Sequence, residues 1–480
     1  MRELQAAVLN ETQRLGASYA DVRIVTTKTQ SIGTKNGEVE VVTSGDECGF
    51  GVRVLFGGAW GFACSNILDM NEAVNVARTA VKIAQASATA LKHPVRLTAV
   101  ERGEAVYTND YKTDPFSIPI EAKISLLLDV DKLLRTDKKI AVARANLYCR
   151  RNQTYFGSSE GSHFYQDILE TGAGMSATAV DGGDVERRSY PNSMGGQCGT
   201  RGWELVEELN MAGNADRVRD EAVALLTAPI CASGRTTVII DGTQMALQVH
   251  ESIGHPTELD RILGMEASFA GTSFVNPDML GKFKYGSEIV NVTADATIPG
   301  ALGSFGFDDE GVPAQRSEII TAGVLTGVLT SRETASSIGR TSNGAMRADG
   351  WNRIPLIRMT NINLLPGDRT FDELVADTDD GLYLETNKSW SIDDKRINFQ
   401  FATEIAWEIK NGKLGRMLRR PNYTGITPQF WNSCDAICDA GHWTVWGTPN
   451  CGKGEPMQIA HVAHGAAPAR FRDVQVGVGR

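Results

Sequence analysis

Short apolar runs bounded by glycine, asparagine and proline dominate this chain, and longer stretches with apolar residues at helical spacing interrupt them. Residues 1–16, about 71–91, about 120–136 and about 203–227 are the helical stretches of the first half; Asp69 and Glu72 stand in capping-box spacing before the second. Between them, 21–28, 30–35 and 38–43 read as strands, the last two joined at Asn36-Gly37. A second hairpin pairs 51–56 with 59–65 around Gly57-Gly58, and strands return around 139–154 and 162–169.

The pattern changes after residues 229–234, which read as a linker rich in small residues. A strand at 235–241 leads into a short helix over 244–249, with Thr243 as its plausible N-cap. Further strands are expected at 287–293, 314–321, 327–331, 381–385, 398–410 and 413–419, the last pair turning at Asn411-Gly412. The fold class is therefore α+β. Residues 1–229 form an N-terminal domain of helices and antiparallel sheet, and 230–480 form a β-rich, barrel-like domain.

Composition narrows the function classes. A 480-residue chain that is 42% hydrophobic without a long apolar run points to a soluble globular protein with no membrane span. Its net charge of −10, with no Lys/Arg-rich stretch, argues against a nucleic-acid binder. The first twelve residues read as an amphipathic helix, not a signal peptide. Eight scattered cysteines are too sparse for a disulfide scaffold and fit a reducing cytoplasm. Cys434 and Cys438, spaced CxxxC, form an alternative metal or redox pair.

The most informative stretch is HESIGH at 250–255, with two imidazoles and a carboxylate in six residues. On a regular helix an i,i+5 pair lies about 140° apart, so the rings of His250 and His255 cannot aim at one ion. Two remedies are available. Gly254 can end the helix at positive φ ahead of Pro256, or a π-type turn can widen the backbone. A third ligand is offered by Cys451, in a Gly/Pro/Asn-rich segment read as a tight loop, where backbone N–H groups and Lys453 would lower the thiol pKa. Two His and one Cys leave a fourth tetrahedral position open, the arrangement of a catalytic zinc site. Read singly, the histidines also fit a core pair and Cys451 an ordinary buried thiol.

Several passages, in order, carry a resemblance: GASYADVR at 16–23, GFGVR at 49–53, GAWGF at 58–62, HESIGH at 250–255, DDEGVP at 308–313, NGAMR at 343–347, PLIRMTN at 355–361 and CGKG at 451–454. The chain resembles the TldD/PmbA family nearly end to end, in particular its TldD-type, catalytically competent members. The resemblance implies a zinc-dependent peptidase with one Zn²⁺ per chain held by His250, His255 and Cys451, and Glu251 as the catalytic glutamate. It also implies a homodimer, or a heterodimer with a TldE/PmbA-like paralogue lacking the metal motif, acting on extended or unfolded peptides. Glu455 and the paired His461 and His464 depart from the family pattern, which bears on substrate preference. Arg347, Arg358, His461 and His464 are the candidates for stabilising an oxyanion; the two histidines, three residues apart, could face the site together but read more simply as two half-exposed histidines on a strand or turn. Asp308, Asp309 and Glu310 have the carboxylate density of a cation loop but read more simply as a turn. Two other readings stay open: a zinc hydrolase of a non-peptide amide, and a non-catalytic, chaperone-like partner.

Overall fold

Asn36 and Gly37 take φ of 53° and 86°, and Gly57 and Gly58 take 58° and 81°. Paired positive angles of this kind let two strands reverse through a two-residue turn. The chain therefore runs antiparallel through Tyr19–Lys35, Glu38–Phe56 and Ala59–Ser65. Tyr19–Lys35 also pairs with Ile140–Ser158, which pairs with His163–Asp181, at the centre of an eight-stranded sheet. The computed structural model describes residues 1–269 and 271–477.

These strands are longer than the sequence suggested. Stretches 21–28 and 30–35 are one strand, 38–43 continues through 51–56, and the strand expected at 162–169 extends to Asp181. Gly49 and Gly51 leave room for the other half of the molecule: a Cβ on Gly49 would lie 2.3 Å from the Trp351 ring. The helix expected over 203–227 is two, Glu204–Leu209 and Met211–Leu225, divided at Asn210, which takes φ 42° and caps the second by accepting the Gly213 N–H.

In the second half five strands close into a barrel. Gly234–Ile240 pairs in parallel with Asp380–Ile392 and antiparallel with Ala469–Val476. The ring continues through Asn422–Ile426 to Asn398–Lys410, which pairs back onto Asp380–Ile392. Phe401, Tyr423 and Phe471 on its strands are fully buried, as β-barrel alternation requires, and Trp431 of the helix Thr427–Asn432 packs against Phe471. The α+β class and the barrel match the expectation. The strands expected at 287–293 and 327–331 do not form as such. Val292–Asp295 joins Arg316–Thr321, Val324–Leu325 and Ile362–Leu364 in a small sheet, and Leu329 makes only an isolated bridge to Glu258.

Buried ion pairs join the halves. Arg53, 4% exposed, donates to Asp21 at 2.7 Å and to Glu310 at 3.1 Å, and Arg188 reaches Glu404 at 3.4 Å. The 229–234 segment is exposed apart from Cys231 but is tied to the second half: the Arg419 N–H donates to the Pro229 carbonyl, and the Cys231 N–H to that of Arg419. Among the described residues, no helix is long and apolar enough to cross a membrane.

Candidate metal centre

The barrel strand Gly234–Ile240 delivers the chain to Asp241, whose carboxylate accepts the N–H groups of Thr243 and Gln244 and caps the helix Gly242–Val249. Asp241, not Thr243, is thus the N-cap. The helix then widens into a π turn over His250–Gly254, closed by the His255 N–H on the His250 carbonyl. That i→i+5 bond brings the two rings together, with centroids 4.8 Å apart. Of the two remedies, the π turn is the one adopted; Gly254 has φ −57°, not a positive angle. Its missing side chain serves packing instead, since a Cβ there would lie 2.0 Å from Met359 Sδ.

Cys451 sits in a strand, Thr444–Lys453, not in a loop; the Pro and Asn before it are absorbed by a register shift between Thr448 and Cys451. Its Sγ lies 3.7 Å from His255 Nε2, and the ligand atoms of His250, His255 and Cys451 all lie within 4.8 Å of one another, every side chain buried.

Neighbours fix which ring nitrogens face inward. His464 Nδ1 is 3.2 Å from the Ile362 carbonyl, which can only accept, so Nδ1 carries the proton and Nε2 accepts. His250 Nδ1, 2.7 Å from that Nε2, must donate, which leaves the lone pair of His250 on Nε2. Burial and the adjacent His250 push His464 well below the usual imidazole range, keeping it neutral. His255 Nδ1 donates to Glu258 Oε2 at 2.9 Å and likewise presents Nε2. Burial lowers the pKa of both inward rings, against the pull of neighbouring carboxylates. The Cys451 thiol is raised by burial, but Arg358 and His255 outweigh this and hold it below its ordinary value. Arg358 donates to the carbonyls of Cys451 and Gln458, the latter at 2.9 Å. Lys453, the cation expected in that role, is bound instead to Asp260 at 2.8 Å and to the Ile357 carbonyl at 2.7 Å. Two neutral imidazoles with outward-locked protons and an acidified thiol are the donor set that a zinc ion takes.

Glu251 Oε2 accepts from Arg396 Nη1 at 2.5 Å. Neither Arg396 nor Glu258 stood out in the sequence. Glu258 follows His255 by three residues, and Arg396 lies 145 residues from Glu251, where no spacing rule reaches. His461 and His464 do not face the site together: on the strand Gln458–Ala466 an odd spacing puts them on opposite faces. His461 turns to Glu170 of the first half, at 2.6 Å. Burial raises the Glu170 carboxyl, but His461 and Arg150 outweigh it and hold it at about 2. Arg347 donates to the Met359 carbonyl at 3.2 Å and stacks over Phe305. Asp308, Asp309 and Glu310 form a turn; Asp308 accepts the N–H groups of Glu310, Val312 and Met346. Burial pushes the Cys438 thiol up to about 12 and raises that of Cys434, the opposite of a ligand pair.

Comparison with known proteins gives consistent matches. Models of the PmbA/TldA metallopeptidase domain 1, central domain and C-terminal domain match residues 20–84, 113–226 and 233–477. A metalloprotease of Methanocaldococcus jannaschii is 33% identical over 423 residues, covering 87% of this chain and 89% of its own. A zinc metalloprotease TldD homolog of Saccharolobus solfataricus is 22% identical over 432 residues, covering 89% and 90%. Among solved structures, TldE from Thermococcus kodakarensis has the same fold, with a TM-score of 0.73 at 14% identity over 99% of this chain and 100% of that one.

Proposed function

The chain belongs to the PmbA/TldA metallopeptidase family, and from that premise we propose that it is a zinc-dependent peptidase acting on extended or unfolded peptides. The observation that carries the reading is the convergence of His250, His255 and Cys451, with two lone pairs and an acidified thiol turned toward one point beside Glu251. One Zn²⁺ held there would polarise the peptide carbonyl and acidify water. Glu251 accepts the proton of the attacking water and passes it to the leaving nitrogen. His464 and Glu258 hold the two imidazoles in their ligating tautomers, and Arg358 fixes the Cys451 backbone.

The working unit on this reading is a dimer, of this chain with itself or with a TldE/PmbA-like paralogue, as membership of the family implies. Eight free cysteines support a reducing, cytoplasmic setting. The depth of the site supports selectivity for chains that can enter in extended form, since His250, His255 and Cys451 are each at most 5% exposed.

The test is zinc content per chain in wild type, Cys451→Ala and Glu251→Ala, with hydrolysis of a mixed peptide library measured alone and with the paralogue. Zinc is expected in wild type and Glu251→Ala, not in Cys451→Ala, with cleavage lost in both variants. Zinc retained in Cys451→Ala overturns the ligand set. Cleavage of native folded proteins as fast as of unfolded chains overturns the substrate class.

A further inference from the structure

Arg396 occupies a position that turn chemistry would give to a different residue. It closes the turn between the barrel strands Asp380–Ile392 and Asn398–Lys410 with φ at 64°, in the left-handed region that glycine and asparagine adopt readily and longer side chains do not. The turn is firmly specified. The Arg396 N–H donates to the Asp393 carbonyl at 2.9 Å, and Thr427 Oγ1 donates to the Arg396 carbonyl at 2.8 Å. From a neighbouring segment the N–H groups of Thr272 and Phe274 donate to the carbonyls of Asp394 and Lys395, at 3.0 and 2.9 Å. A positive φ at a long-chain residue costs free energy, and such strain gathers at functional sites.

That side chain goes to the metal centre. Nη1 donates to Glu251, the residue next to His250 in the chain, at 2.5 Å. Nε is buried without a hydrogen-bond partner, and the side chain as a whole is 16% exposed, so part of it borders the space beside Glu251. A buried donor left unmatched costs free energy until a ligand supplies the acceptor. The other cations nearby are spoken for or sealed. Lys453 is bound to Asp260, and Arg358, whose Nε is likewise unpartnered, is only 1% exposed and holds two backbone carbonyls.

We propose that Arg396 is a catalytic residue of this site: it anchors Glu251 through Nη1 and hydrogen-bonds the carbonyl oxygen of the scissile amide. The inference rests on the peptidase reading above. As the water oxygen bonds to the carbonyl carbon, one water proton passes to Glu251 and the C=O π pair moves onto oxygen, where the guanidinium stabilises it. On collapse that pair returns, the C–N bond breaks, and the proton on Glu251 goes to the leaving nitrogen. Arg396 keeps its own protons throughout and acts by charge and hydrogen bonding.

The experiment compares zinc-loaded wild type with Arg396→Gly. Zinc content is expected to be unchanged, kcat to fall by roughly 10²–10³, and KM to stay within about threefold. A peptide phosphonamidate, whose tetrahedral anion resembles the charge that builds up, loses affinity by a comparable factor, while an uncleaved ground-state peptide does not. In the Glu251→Gln background, where no carboxylate is orphaned, Arg396→Gly raises the melting temperature by relieving the backbone; a purely structural arginine would lower it. Methylguanidinium restores part of the lost turnover. Unchanged phosphonamidate affinity, or a melting temperature that falls in both backgrounds, overturns the proposal. Wild type that binds zinc but cleaves nothing counts against the peptidase reading instead, and the phosphonamidate comparison still decides on Arg396.

Discussion

His250 Nδ1 lies 2.7 Å from His464 Nε2, and the Ile362 carbonyl behind His464 sets the direction of that hydrogen bond. The proton on His250 is thereby kept on the side away from Cys451. His464→Phe would remove the acceptor, free the tautomer and leave a buried N–H unmatched. Zinc affinity is expected to fall by about 10- to 100-fold. Competition with a chromophoric chelator measures it; an affinity within error of wild type would remove His464 from the site.

Removing the metal should cost stability, because a ligand that binds only the folded chain adds RT ln(1 + [L]/Kd). At a free zinc level about 100 times Kd this is ~2.7 kcal/mol, read as a melting temperature that falls on chelation and recovers on adding zinc. In Cys451→Ala the zinc-dependent shift should vanish. If that variant still gains stability from zinc, the ion is bound elsewhere.

Gly254 and Met359 are coupled by contact. A Cβ at 254 would fall 2.0 Å from Met359 Sδ, a flexible side chain beneath the π turn. Gly254→Ala is expected to destabilise by ~1–3 kcal/mol through overpacking and to weaken zinc binding by displacing His255. Adding Met359→Ala should return part of both losses, a non-additivity of ~0.5–3 kcal/mol in a double-mutant cycle. Simple additivity would mean that the turn yields elsewhere.

Acid should loosen the contact between the halves at Glu170. Its carboxyl is held at about 2 against an ordinary 4.5, chiefly by His461 and Arg150 working against burial. A depressed folded pKa adds stability that is fully present above the unfolded value and is lost as pH falls from about 4.5 toward 2. The full amount is ~3 kcal/mol. Urea unfolding of wild type and Glu170→Gln should therefore show a gap near pH 7 that narrows by pH 3. A gap independent of pH would show that the pair does not titrate with folding.

Arg53 bridges the halves through Asp21 and Glu310, all three nearly inaccessible. Arg53→Met leaves two buried carboxylates facing an apolar side chain, and a loss of ~3–5 kcal/mol is expected. The triple variant with Asp21→Asn and Glu310→Gln should recover much of it. Equal stability of single and triple variants would refute the charge-burial explanation.

Local rules made much of this protein legible in its sequence. Asn36-Gly37 and Gly57-Gly58 specify their hairpins because few residue pairs tolerate two positive φ angles, and Asp69 specifies a helix start because its carboxylate can reach two orphan N–H groups. HESIGH marked the site, since two imidazoles five apart demand a distorted turn if they are to converge. Where an interaction is local, the residues that make it are adjacent in the chain, and the sequence by itself determines it.

Tertiary structure alone decided the rest. Residues 38–43 and 51–56 read as separate strands, but in the structure they are one, with Trp351 packed over Gly49 and Gly51, and only the strand Gln458–Ala466 decides that His461 and His464 lie on opposite faces. The cation that acidifies Cys451 proved to be Arg358, 93 residues away in sequence, and the partner of Glu251 proved to be Arg396, 145 residues away. Charges, tautomers and close approaches depend on distances in space. Those distances exist only once the barrel has closed and brought strands from 234–240, 380–410 and 469–476 side by side.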